Sequence, residues 1–138
     1  MSINIYIIED HPLMCTAIRQ LVEITPDIAV AGIAHSGEEA LRQLPTTQAN
    51  LILVDIALPQ MSGIDVISTI HTQWPQLPMV AFSGHQESNY VRRALDAGAR
   101  GFVAKGDPYE LLTAIRAVWA GHAYLSEVAQ KELERFSS

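Results

Sequence analysis

Apolar runs of strand length recur along the chain, separated by segments whose apolar positions fall at helical spacing. The runs are Ile3 to Ile8, Ile28 to Ala34, Leu51 to Asp55, Met79 to Phe82 and Gly101 to Ala104. The first, third and fourth are apolar without alternation, which predicts strands buried on both faces, as parallel strands are. Strand candidates alternating with helical ones indicate parallel α/β units.

The helical segments carry their own start and stop signals. Pro12 occupies a position that a first helical turn tolerates, and Leu13, Ala17, Ile18, Leu21 and Val22 follow at helical spacing. Ser36 with Glu39, and Asp107 with Glu110 around Pro108, have the spacing of a capping box. A helix from about Gly63 to Trp74 stops before Pro75, and another from about Glu87 to Ala97 ends at Gly98. After Gly121 a turn-like segment precedes a short amphipathic helix with Ala129, Leu133 and Phe136 on one face. Five βα units predict a doubly wound sheet, and the flavodoxin-like order 2-1-3-4-5 fits a chain of 138 residues.

Composition narrows the class. The chain is 49% hydrophobic and 17% charged, ordinary values for a folded domain. Nine basic residues against fifteen acidic ones give a formal charge of -6, and Arg92-Arg93 is the one basic pair, so the surface should repel nucleic acid. Cys15 is alone and reads as a small buried hydrophobe. Neither a secretory signal nor a membrane span is visible, which makes a cytoplasmic protein the expectation.

In a sheet of this order ligands gather at the carboxyl ends of the strands beside the switch point, here the first and third. Those ends carry Glu9, Asp10 and Asp55. Two like charges about 5 Å apart cost roughly 3 kcal/mol at an effective dielectric near 20. A hard divalent cation relieves that repulsion, and an all-oxygen cluster suits Mg²⁺. Lys105 falls just past the fifth strand and Ser83 at the end of the fourth, so an acid nucleophile, a metal, a lysine and a hydroxyl describe a phosphoryl site. Taken singly, these residues have plainer readings. Asp55 or the Glu9-Asp10 pair would serve as caps, Ser83 would satisfy a backbone group, Lys105 would be solvated surface and Phe102 core. His11, beside the acids and before Pro12, reads as a turn residue rather than a ligand.

The acidic pair, Asp55 followed by Pro59 and Gly63, then Ser83 and Lys105, resembles the receiver domain of two-component response regulators over residues 3 to 121. "EDHPLM", "GHAYLSEVAQ" and a lysine not followed by proline further resemble the NarL/LuxR subfamily. The resemblance implies that Asp55 is the phosphoacceptor for a sensor histidine kinase. It implies Mg²⁺ held by Asp10, Asp55 and the Ala57 carbonyl, with Glu9 acting through water. Ser83 and Lys105 would contact phosphoryl oxygens, and Ser83 with Phe102 would form the switch. Two departures stand out. Gly106 replaces the proline many receivers have after the lysine, which removes the usual reason for a cis peptide, and Ala57 is non-polar where the family tunes dephosphorylation.

The resulting expectation is a phosphoacceptor, not a turnover enzyme, with residues 1-121 as receiver and 122-138 as a linker helix toward an absent helix-turn-helix domain. DNA would be reached only through that domain, and a weak homodimer would form on phosphorylation. The rival readings are a receiver-like interaction module not regulated by phosphorylation and an aspartyl-phosphate hydrolase. Against the latter, Ala57 stands where the haloacid-dehalogenase pattern needs a second acid.

Overall fold

In the computed structural model, which describes residues 2–84 and 88–135, the apolar runs become a parallel sheet. Its strands are β1 (Ile3–Ile8), β2 (Ile28–Ala34), β3 (Leu51–Asp55), β4 (Met79–Ser83), β5 (Gly101–Ala104) and β6 (Tyr124–Leu125). Their spatial order is β2-β1-β3-β4-β5-β6 with every neighbouring pair parallel. The order expected for five strands holds, and β6 is an addition at the β5 edge. Its two residues are too few to form a recognisable apolar run.

The helices are α1 (Pro12–Glu23), α2 (Gly37–Gln43), α3 (Gly63–Gln73), α4 (Ser88–Ala97), α5 (Pro108–Trp119) and α6 (Glu127–Arg135). The start expected for α4 at Glu87 and the apolar position Phe136 lie outside the described residues. Ser36 and Asp107 cap α2 and α5 as the spacing predicts, their side chains accepting first-turn N–H groups. The reciprocal halves of the two boxes differ. Glu39 accepts from the His35 N–H, and Glu110 takes the Tyr124 hydroxyl at 3.0 Å. That second bond ties α5 to β6.

Successive strand residues point to opposite faces, and both faces are dry. Ile5, Ile7, Leu53, Val80, Phe82 and Val103 face α1 and α5. Tyr6, Ile8, Val54, Ala81 and Phe102 face α2, α3, α4 and α6. Each such aliphatic side chain contributes about 1.5–3 kcal/mol by leaving water, so the central strands form the rigid floor from which the loops of the site project. Burial, with Glu39 nearby, pushes the Tyr6 hydroxyl up to about 12.

The segment after Gly121 joins this core. Ser126 caps α6 by accepting the Ala129 N–H at 3.2 Å, and Ala129 is buried among the residues that enclose Phe102. The apolar stripe of Ala129 and Leu133 thus finds its neighbours within the chain. Ala129→Asp places an unpaired carboxylate there and is expected to cost about 2 kcal/mol, measured as a lower urea midpoint. A midpoint unchanged from the parent would show that α6 does not seal this face.

Candidate functional site

The carboxyl ends of β1, β3, β4 and β5 lie side by side, and each delivers a polar group to one crevice. Asp55 is the last residue of β3 and is fully buried. Its Oδ1 accepts the Ala57 N–H at 3.0 Å, and its Oδ2 lies 3.0 Å from Lys105 Nζ. Glu9, also fully buried, places Oε1 2.7 Å from the same ammonium. Lys105 therefore bridges the two carboxylates, as residues on one rim should. Its own backbone N–H is fixed to the Ser83 carbonyl at 2.9 Å, and its ammonium stands 5.1 Å above the Phe82 ring.

Charge balance follows from these distances. Burial raises the Glu9 carboxyl above the usual carboxylate range, and its contact with Asp55 pushes the same way against the opposing pull of Lys105 and His11. Burial also works against the Lys105 charge, yet the Glu9 and Asp55 carboxylates more than offset it and raise the lysine above its ordinary value. Counted formally, with every carboxylate ionised, three carboxylates against one lysine leave an excess of two negative charges at the crevice. A divalent cation matches that excess.

Asp10 supplies a second sign of fit. Its Oδ1 is a buried acceptor that makes no hydrogen bond among the described residues, a costly condition for a carboxylate oxygen. One ligand atom from each of Glu9, Asp10, His11 and Asp55 lies within 4.8 Å of the others. The donor set, with an Asp10 oxygen that has only the His11 ring 3.3 Å away, thus suits a divalent ion. The crevice opens through a cleft of about 320 Å³ lined by His11, Met14, Ala57, Gly84 and Lys105. A larger cavity of about 690 Å³ under Trp74 and Trp119, at the other end of the sheet, has no ionisable side chain and no comparable chemistry.

Local sequence explains the placement. The chain leaves β3 through a loop in which Gln60 takes a left-handed φ of 64°, and Ser62 caps α3 by accepting the Asp65 N–H. Gly63 then packs against the Asp55 carbonyl, where a Cβ would stand 2.1 Å from the oxygen. The motif glycine is needed for space. On the other side, no cis peptide occurs among the described residues, so the Lys105-Gly106 bond is trans.

The sheet register pairs Asp55 with Phe82 and Ser83 with Ala104. Buried Ser83 is therefore the next residue beyond the acid, and Phe102, two residues before Ala104, shares its face of the sheet. Phe102 is enclosed with Val91, Ala94 and Ala129. The structure thus gathers Glu9, Asp10, Asp55 and Lys105, with Ser83 at the adjoining strand end and Phe102 in the core below. His11, expected to be a turn residue, caps α1 in position but also turns its imidazole toward the acids. Its place beside Glu9-Asp10 was the available signal.

Comparison with known proteins agrees with this geometry. The family model of the response regulator receiver domain matches residues 5–116. The transcriptional activator protein ExaE of Pseudomonas putida is 36% identical over 131 residues, covering 94% of this chain and 61% of that protein. The nitrate/nitrite response regulator protein NarL of Escherichia coli K12 is 34% identical over 125 residues, covering 90% and 58% respectively. The chain thus spans about three fifths of the length of these relatives. A LuxR-family two-component response regulator from Aurantimonas sp. SI85-9A1 superposes with a TM-score of 0.93 at 30% identity, covering 99% of both chains. A further solved structure is an RcsB–DNA complex with a TM-score of 0.90 at 25% identity, covering 98% of this chain and 69% of that one.

Proposed function

The chain belongs to the response regulator receiver domain family, and on that premise we propose that Asp55 accepts a phosphoryl group from the phosphohistidine of a sensor histidine kinase. One observation carries the assignment: Lys105 Nζ bridges Asp55 and Glu9 at 3.0 and 2.7 Å, beside an Asp10 oxygen that has no hydrogen bond.

Asp55 is the nucleophile. A carboxylate oxygen forms the new O–P bond as the donor's N–P bond breaks, and the electron pair leaves with the imidazole, which takes its proton from solvent. The Ala57 N–H fixes one Asp55 oxygen and Lys105 the other, and both of these partners line the cleft. Lys105, already poised between two acids, meets the charge on the transferred oxygens.

Asp10, Asp55 and the Ala57 carbonyl would hold Mg²⁺, with Glu9 acting through water. When bound, the ion supplies neutralising charge to the phosphoryl oxygens. Removal of one ligand charge in Asp10→Asn is expected to weaken Mg²⁺ binding by roughly tenfold or more, read by titration in the absence of a phosphodonor. Unchanged affinity would remove Asp10 from the ligand set.

The response is a shift between two packings. Ser83 turns toward the new phosphoryl oxygens, and Phe102 on the same face repacks as an apolar plug, since its ring has no hydroxyl to bond. Because α6 seals the core around Phe102, that motion reaches α4 and α6. The output in this reading is transcription, through a DNA-binding domain outside these residues, and phosphorylation favours a homodimer. The names of the relatives and the acidic balance of this chain support it. A cytoplasmic location accords with it, and no described helix is long and apolar enough to cross a membrane.

A further inference from the structure

His11 precedes a proline, which disfavours the helical region, and it sits extended at φ −91° and ψ 111° as the N-cap of α1. A side chain at that position commonly turns back to accept a first-turn N–H, but His11 makes no such bond. Its ring faces the acids instead. Nδ1 lies 3.2 Å from Glu9 Oε2 and 3.3 Å from Asp10 Oδ1, the buried oxygen that has no hydrogen bond. Two donors in adjacent positions around an ion about 2.1 Å away stand about 3 Å apart. His11 Nδ1 has that relation to Asp10, the direct ligand, while its 3.2 Å contact with Glu9 is a hydrogen bond that holds the ring in place before an ion binds.

We infer that His11 is a nitrogen ligand of the metal pocket, giving the site an affinity for first-row transition cations of the Mn²⁺ to Zn²⁺ series that Mg²⁺ does not gain from the ring. The inference rests on reading the acid crevice as a metal site and adds a donor to it. Carboxylate and carbonyl oxygens suit hard Mg²⁺, whereas imidazole adds affinity for borderline cations and little for Mg²⁺. Nδ1 cannot ligate and donate a proton at once. A protonated His11 would be a counter-ion to Glu9 and Asp10, and it would compete with every metal alike. The two roles therefore give opposite results when the ring is removed.

The test compares the parent chain with His11→Ala, with Mg²⁺ and Co²⁺ titrated separately and no phosphodonor present. The His11 side chain is 63% exposed, so the substitution should leave the fold intact, which circular dichroism checks. In the variant, Co²⁺ affinity falls by roughly tenfold or more while Mg²⁺ affinity stays within about twofold. The visible Co²⁺ absorption also moves toward that of an all-oxygen site. Unchanged Co²⁺ affinity, or tighter binding of both metals, overturns the inference and leaves the acid pocket standing. Failure of the parent to bind either metal removes the pocket reading itself, and the inference with it.

Discussion

Asp55→Asn folds, binds Mg²⁺ more weakly, and forms no acyl phosphate with acetyl phosphate as donor. The amide keeps the shape of the side chain and an oxygen able to accept the Ala57 N–H, which in the parent holds Asp55 Oδ1 at 3.0 Å. What is lost is the anionic nucleophile, for which the amide is no substitute. The fold survives because the substitution removes one of two carboxylates sharing Lys105, and Glu9 remains 2.7 Å from the ammonium. Relief of repulsion between Glu9 and Asp55 opposes loss of the lysine contact, so stability should change by no more than about 2 kcal/mol. The result is read by intact mass after treatment with acetyl phosphate and Mg²⁺. A phosphorylated variant at the parent's yield would place the acceptor elsewhere.

Gly63→Ala is expected to produce the largest loss of stability among single small substitutions near the site. An added Cβ would stand 2.1 Å from the Asp55 carbonyl oxygen and 2.6 Å from Ile56 Cα. Both are backbone atoms at the end of a central strand, so no flexible side chain can yield. Either α3 or the strand end must shift, breaking the 3.0 Å bond from the Gly63 N–H to the Ile56 carbonyl. Overpacking in a dense interior costs about 1–3 kcal/mol, and a backbone clash of this depth should reach about 3 kcal/mol or more by urea denaturation. Gly106→Ala is the control, since a Cβ there meets nothing within 4 Å. A loss below about 1 kcal/mol at Gly63 would show that the loop relaxes freely.

The site was legible in the sequence because its groups sit at strand ends, and strand ends are where apolar runs stop. Asp55 terminates a run of four buried aliphatic residues, and the order of a doubly wound sheet then brings Glu9 beside it. Lys105 followed from the fifth run in the same way. Caps were legible where the chemistry is local, as at Ser36 and Asp107, and only half legible where a side chain had a distant choice. Glu110 could have closed its own capping box, but Tyr124 brought a hydroxyl across from β6. β6 itself was hidden because two residues carry no period and its pairing with β5 depends on a contact formed across α5. The Ala129–Leu133 stripe announced a buried face without saying what covers it. At His11 local reasoning correctly found the position before the helix, but the direction of the ring depends on where the acids converge.

The central claim is that the carboxylate of Asp55 carries the phosphoryl group, and chemical mapping of the modified residue tests it most directly. The parent chain is treated with acetyl phosphate and Mg²⁺, reduced with borohydride, digested and sequenced by mass spectrometry. An aspartyl phosphate is reduced to homoserine at its own position, whereas an unmodified aspartate is not. The account predicts homoserine at position 55 and at no other, with the signal absent when Mg²⁺ is chelated. Phosphate recovered on another residue, or none recovered from protein shown by titration to bind Mg²⁺, would contradict it.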